Sequence, residues 1–152
     1  MAPNPPPRPR ADRRRDTLER LEHDIDLWVA TSSADGEPYL VPLSFDWDGE
    51  AIILSTPASS RTARNLAANP VVRLALGLTR DVVLVDGRAE LLAIDALAPG
   101  EADRFAARAG FDPRESRSEY RWIRVVPRRI QAWREVEELD DRDLVRDGVW
   151  LD

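Results

Sequence analysis

Ile52-Ile-Leu-Ser-Thr-Pro-Ala-Ser-Ser-Arg-Thr-Ala-Arg-Asn-Leu-Ala-Ala-Asn-Pro70 changes its character halfway along. It begins as a buried strand, with Ala51 to Leu54 apolar. Pro57 breaks that strand, and the chain restarts as a short helix from about Arg61 to Ala68. Ser59 or Ser60 is the natural N-cap, because a hydroxyl there accepts from a free backbone N–H of the first turn. Asn69-Pro70 stops the helix, since the residue before a proline avoids the helical region. A helix start fed by a Ser/Thr loop presents unpaired N–H groups and the positive end of its dipole, so it can hold an anion. Arg61 and Arg64 stand three apart and can serve the same first turn. The stretch reads as a phosphate grip, or as an ordinary capped surface helix with solvated arginines.

On either side of this stretch the pattern is one of strands and tight turns. Ile25 to Ser32 is rich in strand formers. Asp35-Gly36 is a hairpin signal, and Pro38 to Trp47 is the return strand, with Pro42 marking an edge or bulge. Asp48-Gly49 is a second turn leading into Glu50 to Ser55. Beyond the helix, Val71 to Leu78 and Val82 to Leu92 are strands, with a bulge or kink at Asp86-Gly87. Pro99 to Gly110 is helical, with Gly110 as its C-cap. Tyr120 to Val126 and Arg129 to Arg134 are the last two strands, divided by Pro127. Strands that follow one another by short turns are antiparallel, and six or seven of them with few helices favour closure, which removes sheet edges. The expected fold is mainly β: a six- to seven-stranded antiparallel barrel with two or three short helices.

The ends differ in charge. Residues 1–12 hold five prolines and no apolar pattern, and disorder is expected there. A short helix from about Asp12 to Asp24 is expected to pack through Leu18 and Leu21. Residues 13–134 then form the barrel domain. Residues 135–152 carry eight acidic residues and two Arg, yet end in Val149-Trp150-Leu151. That composition reads as an acidic tail docking on a surface, such as a partner subunit.

Composition narrows the chemistry. With 152 residues and 43% hydrophobic content the chain can bury one real core. It has no cysteine, which removes disulfides, thiolate catalysis and Cys-based metal sites and suits the cytoplasm. Its one histidine, His23, cannot build a His-rich metal centre. All 22 basic residues are Arg, so lysine Schiff-base chemistry is absent. The net charge of −6 argues against a general nucleic-acid binder, and no apolar run reaches membrane-span length. No metal and no catalytic acid or base is assigned. An enzyme built from this inventory would rely on a bound cofactor for its difficult step.

The ordered pieces Val29-Ala30-Thr31, Asp35-Gly36-Glu37-Pro38, Val41-Pro42-Leu43-Ser44-Phe45, Ile53-Leu54-Ser55-Thr56, Ser60-Arg61-Thr62-Ala63-Arg64-Asn65-Leu66, Asn69-Pro70-Val71-Val72 and Val85-Asp86-Gly87-Arg88-Ala89-Glu90 carry a resemblance. Together they resemble the pyridoxamine 5′-phosphate oxidase-like superfamily of FMN-binding split barrels. More narrowly, they resemble its flavin/deazaflavin oxidoreductases, some of which use coenzyme F420. The resemblance covers about Asp24 to Arg134. It implies a homodimer with two cofactors, FMN or F420, at the subunit interface, and hydride transfer to or from a small organic substrate. It implies that Val41, Pro42, Leu43 and Ser44, with Ser55 and Thr56, line the ring. It makes Arg61 the main phosphate ligand, with Ser60 and Arg64 beside it and Thr62 where many members have Lys. Trp133 and Trp150 become candidates to stack near the ring. Val82 stands near a position where true pyridoxamine phosphate oxidases often use Gln, and a C-terminal Arg-x-His motif is missing. The resemblance therefore implies a substrate other than pyridoxamine phosphate. The alternative is a non-catalytic protein of the same fold that sequesters or senses the cofactor. A third reading, a barrel that binds only protein partners, predicts no spectral change with either cofactor.

Overall fold

The structure, a computed structural model, describes all residues from Met1 to Asp152. Eight strands form one sheet: β1 (Asp26–Ser32), β2 (Pro38–Trp47), β3 (Ile52–Pro57), β4 (Val71–Leu78), β5 (Asp81–Ala93), β6 (Tyr120–Trp133), β7 (Asp143–Arg146) and β8 (Val149–Trp150). Their order is β3-β2-β1-β4-β5-β6-β7-β8, and β3 also pairs with β6. That last pairing closes β1–β6 into a six-stranded antiparallel barrel. Three helices accompany it: α1 (Arg10–His23), α2 (Arg61–Ala68) and α3 (Pro99–Ala109).

Strand alternation fills the barrel. On β1, Leu27 and Val29 point inward; on β4, Val72, Leu74 and Leu76 do so. With Phe45, Ile52, Leu54, Val83, Val85, Ile123, Val125 and Ile130 they form the main core. Burying side chains of this size contributes about 1.5–3 kcal/mol each. A second cluster of Ala51, Ile53, Leu97, Ala102, Phe105 and Trp122 lies under α3, outside the barrel wall.

Two strands expected on either side of Pro127 are one. Strand β6 runs unbroken through it, because the register shifts at that point: Asp86 pairs with Arg129 and Gly87 with Pro127. The bulge accommodates the missing proline N–H. Gly87 is needed there for space, since a Cβ would lie 2.8 Å from Val125 Cγ1.

The termini also differ from expectation. Helix α1 starts at Arg10, inside the stretch expected to be disordered, and buries Arg13, Thr17 and Leu21 at four-residue spacing. Ahead of it, the Arg8 guanidinium meets Glu138 at 2.8 Å and Asp16 at 2.9 Å. The segment read as an acidic tail is instead β7 and β8 of the same protomer. Leu144 and Val145 are in the core and Trp150 packs against it. Leu144 and Val145 find their cover against β6, while Glu138 is the one acid of the segment that is buried, paired with Arg8.

Candidate functional site

A cleft of about 310 Å³ opens on the outer face of the barrel beside β2 and β3, within the usual size of a small-molecule site. It is lined by Asp26, Pro42, Leu43, Ser44, Ser55, Pro57, Phe111 and Tyr120. Alternation along β2 decides which residues of that strand reach it. Phe45 is buried in the core and Val41 and Leu43 pack against that core, so Pro42 and Ser44 face the other way. Of the ring-lining residues expected on β2, Leu43 borders the cleft with Pro42 and Ser44, and Val41 does not line it.

The walls come from segments far apart in sequence. Asp26 sits opposite Ser44 in the β1–β2 ladder, and the Ser44 hydroxyl donates to its carboxylate at 2.7 Å. Phe111, just past the end of α3, meets Tyr120 at the start of β6 with ring centroids 5.9 Å apart. Phe111 also packs edge-on against Phe105, which packs edge-on against buried Trp122. The Trp122 indole N–H donates to the Ile94 carbonyl at 3.0 Å. This run of rings anchors the cleft wall to the second core. Behind the floor, Asp46 is held between Arg104 at 3.5 Å and Arg108 at 3.4 Å, fastening α3 to β2.

Ser55 is 5% exposed, and its hydroxyl has no hydrogen-bond partner. A buried hydroxyl left unpaired costs about 1–3 kcal/mol, so its place in the cleft wall marks a point where a bound molecule could satisfy it. Ser55 leads through Thr56 and Pro57 directly into the turn before α2. There Ser60 is the N-cap, accepting from the Ala63 N–H at 3.1 Å, and its carbonyl accepts from the Arg64 N–H. The N–H groups of Arg61 and Thr62 precede the first helical hydrogen bonds and remain available to an anion.

Thr56 does not line the cleft; its hydroxyl is bound to that of Ser60. Thr62 is buried. Arg61 is 48% exposed, stands over the Tyr39 ring at 5.6 Å and approaches Glu37 at 3.8 Å. Arg64 is exposed on the same helix. Neither arginine lines the cleft itself; both stand one turn beyond its Pro57 edge. Trp133 lies at the far end of β6 from Tyr120, paired with Val82 and covered by Arg142 at 5.6 Å. Thirteen strand steps at about 3.3 Å each separate Trp133 from the cleft wall, so it does not meet the cleft of its own protomer. Asp26, Phe111 and Tyr120 escaped recognition as lining residues because only closure of the barrel and the docking of α3 bring them together.

A marked displacement of acidity lies away from the cleft. The Arg8 guanidinium, donating to both carboxylate oxygens of Glu138, holds that group at about pKa 2, helped by the backbone N–H groups of Arg8 and Arg134. No cluster of His, Asp and Glu is arranged to hold a metal ion, and no helix is long and apolar enough to cross a membrane.

Residues 17–134 match the family model described as pyridoxamine 5′-phosphate oxidase. No curated protein matches the chain in sequence. Among solved structures, an F420 reductase is 22% identical with a TM-score of 0.62, over 74% of this chain and 93% of that one. A conserved hypothetical protein from Mycobacterium tuberculosis is 22% identical with a TM-score of 0.64, over 81% and 85%. A protein from Clostridium acetobutylicum, related to general stress protein 26 and described as of the pyridoxinephosphate oxidase family, is 17% identical with a TM-score of 0.61, over 85% and 92%. At these identities the likeness to the solved structures is one of fold.

Proposed function

The chain belongs to the pyridoxamine 5′-phosphate oxidase family, whose members generally bind flavins, and from that premise we propose that it is a cytoplasmic homodimeric oxidoreductase holding FMN or coenzyme F420. The bound cofactor would supply hydride transfer to or from a small organic substrate. The protein's part is to bind and orient. Pro42, Leu43, Ser44 and Ser55 offer the ring a floor, with the unpartnered Ser55 hydroxyl as a hydrogen-bonding point. Ser60, the free N–H groups of Arg61 and Thr62, and the Arg61 and Arg64 side chains offer the phosphate a positive seat.

One observation carries this reading: a buried, unsatisfied hydroxyl in the cleft wall lies five residues before a capped helix start furnished with guanidinium groups. A ring with a phosphate handle suits that adjacency. Dimerisation is supported by the outer face of β1, β2 and β4. Trp28, Leu40 and Val71 are 49%, 60% and 54% exposed there, beside Pro42 and Ala75. Exposed apolar side chains grouped on a sheet face, here with the Arg73–Asp86 pair among them, suit a protein interface. A second copy would provide the facing surface, and would let Trp133 of one protomer serve the other's site.

Titration of the purified protein with FMN and with F420, followed by fluorescence, tests the cofactor. Saturable change with one of them is expected; no change with either overturns the proposal. The second reading, binding without turnover, is favoured by the cleft's sparse acid–base inventory, Asp26 and Tyr120. Mixing the reduced complex with organic acceptors separates the two, because a sequestering protein binds but is not reoxidised by them.

A further inference from the structure

The cleft and the helix turn beside it have opposite polarity. Asp26 is the only charged residue among the eight that line the cleft, and it is acidic. The arginines of α2 stand outside. A carboxylate or phosphate entering the cleft would therefore meet Asp26 with no guanidinium in the lining to offset it, since Arg104 and Arg108 behind the floor are paired with Asp46. Asp26 is also positioned rather than loose: the Ser44 hydroxyl donates to one of its oxygens at 2.7 Å, leaving its other lone pairs free.

Phe111 and Tyr120 form the aromatic part of the lining. Tyr120 and Phe111 present ring faces and edges, and Phe111 is held through Phe105 to Trp122, which is fully buried. Rings held this way favour a flat molecule stacked or set edge-on. With the Ser55 hydroxyl given to the cofactor ring, Asp26 is the charged group left to face a substrate at the open side of the lining.

Resting on the cofactor reading above, we infer that this cleft selects a flat organic substrate that is neutral or cationic and rejects carboxylates and phosphates. Phe111 and Tyr120 form its apolar wall, and Asp26 sets its charge preference. The anion-binding turn at α2 serves the cofactor's handle; the substrate is chosen by the opposite charge.

Benzamidine, benzamide and benzoate share one shape and carry charges of +1, 0 and −1. Each is titrated into the protein, alone and with cofactor, at low ionic strength, following the amide resonances of Ser44 and Ser55. Benzamidine is expected to bind about tenfold tighter than benzoate, with benzamide between them, and added salt should narrow the gap because Asp26 is exposed. Asp26→Asn, an exposed change that leaves the core intact, should bring benzamidine and benzamide level. Tyr120→Leu should weaken all three. Benzoate binding as tightly as benzamidine, or a charge order that survives Asp26→Asn, overturns the inference. If the order is lost while FMN or F420 still binds, this inference fails alone. If the order holds in protein that takes up neither cofactor, the cleft's selectivity stands and the redox reading falls.

Discussion

The hydroxyl oxygens of Thr56 and Ser60 lie 2.7 Å apart, joining the end of β3 to the cap of α2. Ser60 also accepts from the Ala63 N–H, so one side chain links strand, turn and helix. Ser60→Ala should cost about 1 kcal/mol of stability by loss of the cap, read by chemical denaturation. Ser60→Asp should keep the cap and stability yet weaken cofactor binding, because it places a negative charge beside the phosphate seat. Equal cofactor affinity in Ser60→Asp and the parent would separate this turn from anion binding.

Arg61→Ala removes a half-exposed guanidinium that the fold does not need. Stability should stay within about 0.5 kcal/mol. Cofactor binding should weaken by about 1.5–3 kcal/mol, as for a charge-assisted hydrogen bond. Fluorescence titration checks this, and unchanged affinity counts against the phosphate grip. Glu37→Gln, which frees Arg61 from its nearby carboxylate, should strengthen binding slightly.

Glu138 ties the N-terminal segment to the turn between β6 and β7. Its acidity in the folded protein, about pKa 2, is well below the ordinary glutamate value of 4.5. A depressed folded value stabilises the protein above the unfolded value, and that stability is lost as pH falls toward the folded one. Stability should therefore drop between about pH 5 and pH 2, with Glu138 contributing about 2 kcal/mol of the fall. Glu138→Gln should lower stability at pH 7 and flatten that acid limb in urea melts taken across the range. A limb of the same slope in the variant would place the loss at other carboxylates.

Trp28→Glu and Leu40→Glu alter the exposed apolar sheet face without touching the core. Each should convert a dimer to a monomer in sedimentation equilibrium while the circular dichroism spectrum stays the same. Cofactor affinity should fall with the dimer, since the site would draw on both copies. A monomeric parent protein would remove the shared-site reading.

Gly77 closes the β4–β5 turn at φ +83°, where a Cβ would lie 2.2 Å from the Asp81 carbonyl oxygen. Gly77→Ala should destabilise by about 2–3 kcal/mol through strain and this backbone clash. Thermal melts would show it. Asp81 also receives Arg20 at 3.0 Å and Arg134 at 3.3 Å, so displacement of that turn should disturb the ion cluster at the α1 end.

Much of the barrel was readable because hairpins are local. Asp35-Gly36 and Asp48-Gly49 announced two of the turns, and runs of strand formers announced β1 and β4. The reading faltered where local signals conflicted with distant partners. Pro127 looks like a strand break until Gly87, forty residues earlier, supplies the bulge that tolerates it. Arg13 looks like solvated charge, yet it is buried and donates to the Ala132 carbonyl at 3.3 Å and to Asp141 at 3.1 Å. The final segment looks like a tail because its acids dominate its composition. Only β6 reveals that Leu144 and Val145 belong to the core.

The sequence by itself determined the local events: the runs that become β1 to β5, where hairpins turn, and that Ser59 or Ser60 caps a short helix with Arg61 in its first turn. These depend on backbone preferences and on neighbours a few residues away. Only the tertiary structure decided that β3 meets β6, that Asp26, Phe111 and Tyr120 line one cleft, and that the Ser55 hydroxyl is buried unpaired in its wall. Those relations join residues dozens of positions apart. They exist because a closed sheet must bury its inner face at once, and side-chain period and turn chemistry say nothing about which distant outer residues that closure brings together.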